Sequence, residues 1–127
     1  MGSRPKSILV VDDNPEVREV LRDLLEMEGF SVTTAEGGLS ALLQIGRSRP
    51  GCVVLDLRLD GPSGFEVHRA LRADPEFQDL PVLFISGAYA DEAAVRRQLD
   101  EVPVHYLPKP LVHEELVRVV RSLMEPA

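Results

Sequence analysis

The sequence predicts an α/β domain in which helices cover both faces of a doubly wound, five-stranded parallel sheet. Strand-like and helix-like segments alternate about five times along 127 residues. The connections between them are short, so successive elements must pack as neighbouring layers. Several strand-like segments are also unbroken apolar runs, the pattern of strands covered on both faces.

Ser7 to Val11, SILVV, is the first such run, and it ends in acid at Asp12 and Asp13. Asn14, Pro15 and Glu16 then supply a cap, a proline at the first helical position and an early acid. Val17, Val20, Leu21, Leu24 and Leu25 follow at helical spacing until Gly29 stops the helix. Phe30 to Ala35, FSVTTA, is a shorter and more polar strand of the kind found near a sheet edge. A second helix, from about Leu39 to Ser48, carries Leu39, Leu42, Leu43 and Ile45, and Arg49, Pro50 and Gly51 break it.

The stretch from Gly51 to Gly64, GCVVLDLRLDGPSG, organises the rest: a buried strand through Cys52 to Leu55 that ends in Asp56 and opens into a loop. Phe65 to Arg72 resumes helical periodicity through Phe65, Val67, His68 and Leu71, and Asp74 and Pro75 close it. Leu80 to Ile85, LPVLFI, is another continuous apolar strand, followed by Ser86 and Gly87. Asp91 to Glu101 reads as a weakly apolar helix, which packs loosely for want of a strong apolar stripe. Val104 to Leu107 is the last strand and leads into Pro108, Lys109 and Pro110. A closing helix from about Val112 to Met124 sets Leu116, Val119, Val120 and Leu123 on one stripe. The apolar stripes of all these helices are expected in the core.

Composition narrows the function. A net charge of -7 argues against a nucleic-acid surface, because phosphate binding needs concentrated Lys and Arg. No apolar stretch approaches the roughly 20 residues of a membrane span, and MGSRPK lacks the apolar core of a signal peptide, so no membrane contact and a cytoplasmic location are expected. The one cysteine, Cys52, allows no internal disulfide and sits in an apolar run as a small hydrophobe. His68, His105 and His113 have no metal-ligand spacing and are expected at the surface.

The chemistry collects at the strand ends: Asp12 and Asp13 after the first strand, Asp56 after the third, Ser86 after the fourth and Lys109 after the fifth. On a parallel sheet these ends share one edge, where open α/β sheets place their ligands. A lone strand-end aspartate most often caps a turn; it is the company of Asp56 that gives it weight. Three carboxylates packed together push one another toward protonation unless a cation joins them. An all-oxygen set favours Mg²⁺, with Mn²⁺ also possible, over zinc and leaves a position for a phosphate oxygen. With the hydroxyl of Ser86 and the ammonium of Lys109 added, the site has the parts for phosphoryl transfer to Asp56.

Asp12-Asp13, Asp56 with Gly61 and Gly64, Ser86-Gly87, Tyr106 and Lys109-Pro110, in that order, resemble the response-regulator receiver domain of two-component signalling. The resemblance runs from Ser7 to about Met124, so 1–127 is expected to be one receiver domain. It implies a flavodoxin-like sheet of order 2-1-3-4-5 flanked by about five helices. It also implies Asp56 as phosphoacceptor, with Asp13, Asp56 and the backbone carbonyl of Arg58 on Mg²⁺ and Asp12 on a metal-bound water. Ser86 and Lys109 would bind the phosphoryl oxygens, the Lys109-Pro110 peptide would be cis, and Ser86 and Tyr106 would form the switch. The implied partners are a sensor histidine kinase or phosphotransfer protein, a downstream effector and a second copy as homodimer. The expected output face comprises the 91–101 helix, the last strand and the last helix. Such a domain catalyses its own phosphorylation and dephosphorylation without being a turnover enzyme.

This chain also departs from the family's commoner pattern. Asp60 stands where proline is usual, Pro62 and Ser63 replace Met-Asp, and Val102-Pro103 replaces Gly-Ala, so the loop after Asp56 is expected to be shaped differently. Val104 and His105 stand where winged-helix regulators carry an acidic pair, so that subfamily's dimer does not follow. Two alternatives stay open. One is a degenerate receiver that binds partners without phosphorylation. The other is a haloacid-dehalogenase-type aspartate phosphatase, against which stands Arg58 in the place of its general acid. A flavodoxin is disfavoured because Asp12 and Asp13 would repel the cofactor phosphate.

Overall fold

The computed structural model describes residues 6–59, 61–87, 97 and 105–125. Five strands run in the order β1 (Ser7–Val11), β2 (Ser31–Ala35), β3 (Cys52–Asp56), β4 (Val82–Ser86) and β5 (Tyr106–Pro108) along the chain. They form one sheet of spatial order β2-β1-β3-β4-β5, and each neighbouring pair is parallel. Four helices are present among the described residues: α1 (Pro15–Met27), α2 (Gly38–Ser48), α3 (Gly64–Arg72) and α4 (His113–Met124). Apart from Arg97, the expected helix from Asp91 to Glu101, and with it Asp60, Val102, Pro103 and Val104, lies outside the described residues. None of the described helices is long and apolar enough to cross a membrane.

Two core layers sit on opposite faces of the sheet. Leu9, Val11, Val53, Leu55, Val82 and Phe84 face α2 and α3, while Ile8, Val10, Val54, Leu83 and Ile85 face α1 and α4. The strict alternation along β1, β3 and β4 follows from the period of two in a strand, and it explains why these runs are apolar at every position. β2 is an edge strand with alternate residues exposed, as its polarity predicts. Asn14 caps α1, its side-chain oxygen accepting from the amides of Glu16 and Val17. α4 begins one residue later than expected, with Val112 at the N-cap and no side-chain cap bond.

Three helix stripes differ from expectation. On α1, Leu21 and Leu25 are buried but Val20 is 59% exposed. On α2 the buried residues are Gly38, Ala41 and Ile45, which leaves Leu39 and Leu43 at 65% and 58% exposure. The small side chains of Gly38 and Ala41 set this helix close to its neighbours, so its inner face is marked by size rather than by hydrophobicity. On α3, His68 is not at the surface: it is 4% exposed and shares the buried stripe of Gly64, Val67 and Leu71. Its ring lies 5.2 Å from that of Phe84, so helical position has outweighed side-chain polarity.

Candidate functional site

Because all five strands point the same way, β1, β3, β4 and β5 deliver their carboxyl ends to one edge. Asp12 follows β1 and is fully buried. Its Oδ1 accepts from the Asn14 amide at 2.9 Å, and its Oδ2 accepts from Lys109 Nζ at 2.7 Å. Asp56 closes β3 and is also buried; its Oδ1 accepts from the Arg58 amide at 2.9 Å and its Oδ2 from Lys109 Nζ at 3.0 Å. Asp13 is exposed, yet it offers a carboxylate oxygen to the same place. Oxygen atoms of Asp12, Asp13 and Asp56 all lie within 4.8 Å of one another.

Lys109 reaches this cluster because the Lys109 amide donates to the Ser86 carbonyl at 2.8 Å, continuing the β4–β5 ladder past Pro108. The Lys109–Pro110 peptide is cis. The side chain of Lys109 runs beside Gly87, where an added Cβ would lie 3.4 Å from Lys109 Cδ. Ser86 is 2% exposed, and its hydroxyl has no hydrogen-bond partner among the described residues. A buried hydroxyl in that condition forfeits hydrogen bonds it would make in water. Gly64 is required at the far end of the loop after Asp56, because a Cβ there would come within 2.5 Å of the Asp56 carbonyl oxygen.

Burial raises the pKa of Asp56 above the ordinary carboxylate value. The Arg58 amide and Lys109 work against that rise, and the charge of Asp12 adds to it. For Lys109, burial opposes the ammonium, but hydrogen bonds to Asp12 and Asp56 outweigh it and the pKa is raised. The causes differ: for Asp56 burial leads and the charge of Asp12 only adds to it, whereas for Lys109 the paired acids overcome burial.

Every residue singled out at the strand ends therefore meets at this edge. Tyr106 is partly buried in the α2–α3 layer, in register with Phe84 two residues before Ser86. Arg18 was not anticipated: its guanidinium donates to the Asp12 carbonyl at 2.8 Å. The available signal was a basic residue in the first turn of α1, where acids are the rule.

An α/β domain of this topology with acids, hydroxyl and ammonium at one edge is a receiver-type domain. Residues 8–121 match the family model described as response regulator receiver domain, and the chain belongs to that family. It is 42% identical over 120 residues to the response regulator MprA of Mycobacterium sp. (strain KMS), covering 94% of this chain and 51% of that protein. The chain thus spans about half the length of the mycobacterial regulators it matches. Among solved structures, it is similar to a response regulator receiver protein from Pseudomonas putida, with TM-score 0.82, 31% identity, and coverage of 96% of this chain and 99% of the other. The chemotaxis protein CheY4 of Vibrio cholerae shares the fold, with TM-score 0.81 at 24% identity over 92% of this chain and 97% of the other.

Proposed function

We propose that this receiver domain is a phosphoacceptor in which Asp56 takes a phosphoryl group from a phosphohistidine, on a sensor kinase or phosphotransfer protein, in a Mg²⁺-dependent step. The observation that carries this reading is the convergence of three carboxylates within 4.8 Å, balanced on the carboxylates by one ammonium. An all-oxygen set with excess negative charge fits a hard divalent cation such as Mg²⁺ or Mn²⁺. Asp13, Asp56 and the backbone carbonyl of Arg58 would hold it, with Asp12 on a metal-bound water. When bound, Mg²⁺ supplies the positive charge that lets the acids stay ionised and receive an anionic phosphoryl group.

An Asp56 carboxylate oxygen forms the new O–P bond as the P–N bond to the donor imidazole breaks and its electron pair leaves with the nitrogen. Lys109 already donates to Asp56 Oδ2 at 3.0 Å, so its ammonium is within reach of a phosphoryl group attached there. The Ser86 hydroxyl supplies a second donor. The product is the modified domain itself, so the reaction is a switch rather than a turnover.

Once Ser86 bonds the phosphoryl group, Tyr106 turns inward. That turn alters the face formed by residues 91–101, β5 and α4, where an effector or a second copy binds. A cytoplasmic location goes with this role. Intact-mass measurement after incubation with acetyl phosphate and Mg²⁺ tests the reading: one phosphoryl group is added to the parent, and none with EDTA or in Asp56→Asn. Equal gain in Asp56→Asn would remove Asp56 from the role.

A further inference from the structure

The loop after β3 is pinned at both ends. At its start the Arg58 amide donates to Asp56 Oδ1. At its end the Gly64 amide donates to the Leu57 carbonyl at 3.2 Å, and Ser63 and Glu66 form a reciprocal cap on α3. Between these points the loop meets the first turn of α2. A Cβ added at Gly38 would lie 2.3 Å from the Pro62 carbonyl oxygen and 2.9 Å from Pro62 Cβ. An ordinary carbon–oxygen contact is about 3.3 Å, so any side chain at position 38 forces Pro62 and the first turn of α2 apart. Gly46, on the same helix, has no such neighbour: a Cβ there meets nothing within 4 Å.

We propose that Gly38 is a positioning residue for the metal site: it lets Pro62 seat against α2 and so fixes the span that carries the Arg58 backbone. The inference rests on the Mg²⁺ reading above and adds to it a support from outside the strand ends. Mg²⁺ demands near-ideal octahedral geometry at about 2.1 Å, so a shift passed along the loop from Pro62 to the Arg58 carbonyl weakens its hold on the ion. Groups that orient a metal's ligands typically change its affinity by about 10- to 100-fold when altered.

The test compares Mg²⁺ binding by calorimetric titration, and acetyl phosphate labelling rates against Mg²⁺ concentration, in the 127-residue chain. Gly38→Ala is expected to raise the Mg²⁺ dissociation constant about tenfold while the rate at saturating Mg²⁺ stays near that of the parent. Gly46→Ala is expected to leave both unchanged. A folded Gly38→Ala that binds Mg²⁺ as tightly as Gly46→Ala overturns the proposal, as does a loss of saturating rate with unchanged affinity. If Gly38→Ala does not fold, Pro62→Gly decides: removing the seated ring and freeing the backbone weakens Mg²⁺ binding if the proposal holds, and parental affinity overturns it. A parent that binds no Mg²⁺ overturns the metal reading, and this inference with it.

Discussion

Lys109 Nζ lies 2.7 Å from Asp12 Oδ2 and 3.0 Å from Asp56 Oδ2, so one ammonium at the end of β5 ties the ends of β1 and β3 together. Removing it leaves two buried acids facing each other. Lys109→Met is therefore expected to destabilise the metal-free domain by about 1–3 kcal/mol, the scale of a lost hydrogen bond to a charged group. Saturating Mg²⁺ should recover part of that loss by supplying positive charge to the same oxygens. Urea denaturation in EDTA and in Mg²⁺ measures both, and equal stability of parent and variant in EDTA would show that the ion pairs carry no net weight.

Asp56 predicts the opposite sign. Its pKa is raised in the folded state, chiefly by burial, so the folded protein binds the proton more tightly than the unfolded chain. Its ionisation thus costs stability as pH rises from the unfolded value of 3.8 through the folded one, and the cost is fully present above that. The charged groups around it are Asp12, Asp13 and Lys109, with Arg18 on the Asp12 carbonyl. In EDTA at neutral pH, Asp56→Asn is expected to stabilise the domain by on the order of 1 kcal/mol, the usual scale of a single substitution. The difference should shrink as pH falls toward 3.8. A variant less stable than the parent at pH 7 would mean that the bonds to Lys109 and Arg58 outweigh burial.

Asp13 is the exposed member of the cluster, so water already screens it and its loss costs the fold little. Asp13→Ala should melt in EDTA at or slightly above the parental temperature. Its response to Mg²⁺ should be much smaller, because a ligand stabilises only in proportion to its affinity for the folded state. Thermal melts across a Mg²⁺ series decide this, and a parental Mg²⁺ response in the variant would take Asp13 out of the site.

The sheet was legible because its signal is local: β1, β3 and β4 are each continuous apolar runs, and parallel geometry alone brings Asp12, Asp56, Ser86 and Lys109 to one edge. What sequence did not reveal depends on contacts between distant elements. Leu39 and Leu43 look like core by hydrophobicity, yet α2 turns Gly38, Ala41 and Ile45 inward. His68 reads as polar, yet its position between Val67 and Leu71 places it beneath Phe84. The approach of Pro62 to Gly38 has no sequence signature beyond a glycine at the first position of a helix.

Ser86 and Tyr106 carry the last prediction. The Ser86 hydroxyl is buried without a partner among the described residues, and Tyr106 packs beside Phe84 on the neighbouring strand. A phosphoryl group on Asp56 offers that hydroxyl a charge-assisted acceptor, which is stronger than a neutral one. Movement of Ser86 toward it is expected to vacate space into which Tyr106 would turn. A ligand shifts two states only by its differential affinity for them, and moving a 1:99 population to 99:1 takes about 5.5 kcal/mol, so the two states must lie within a few kcal/mol. Amide exchange with and without beryllofluoride, a phosphoryl mimic, is expected to change between Gly87 and Tyr106, and Ser86→Ala should largely abolish that change. Confirmed beryllofluoride binding with unaltered exchange across this stretch would mean that Tyr106 is fixed by its packing and that the output face does not move.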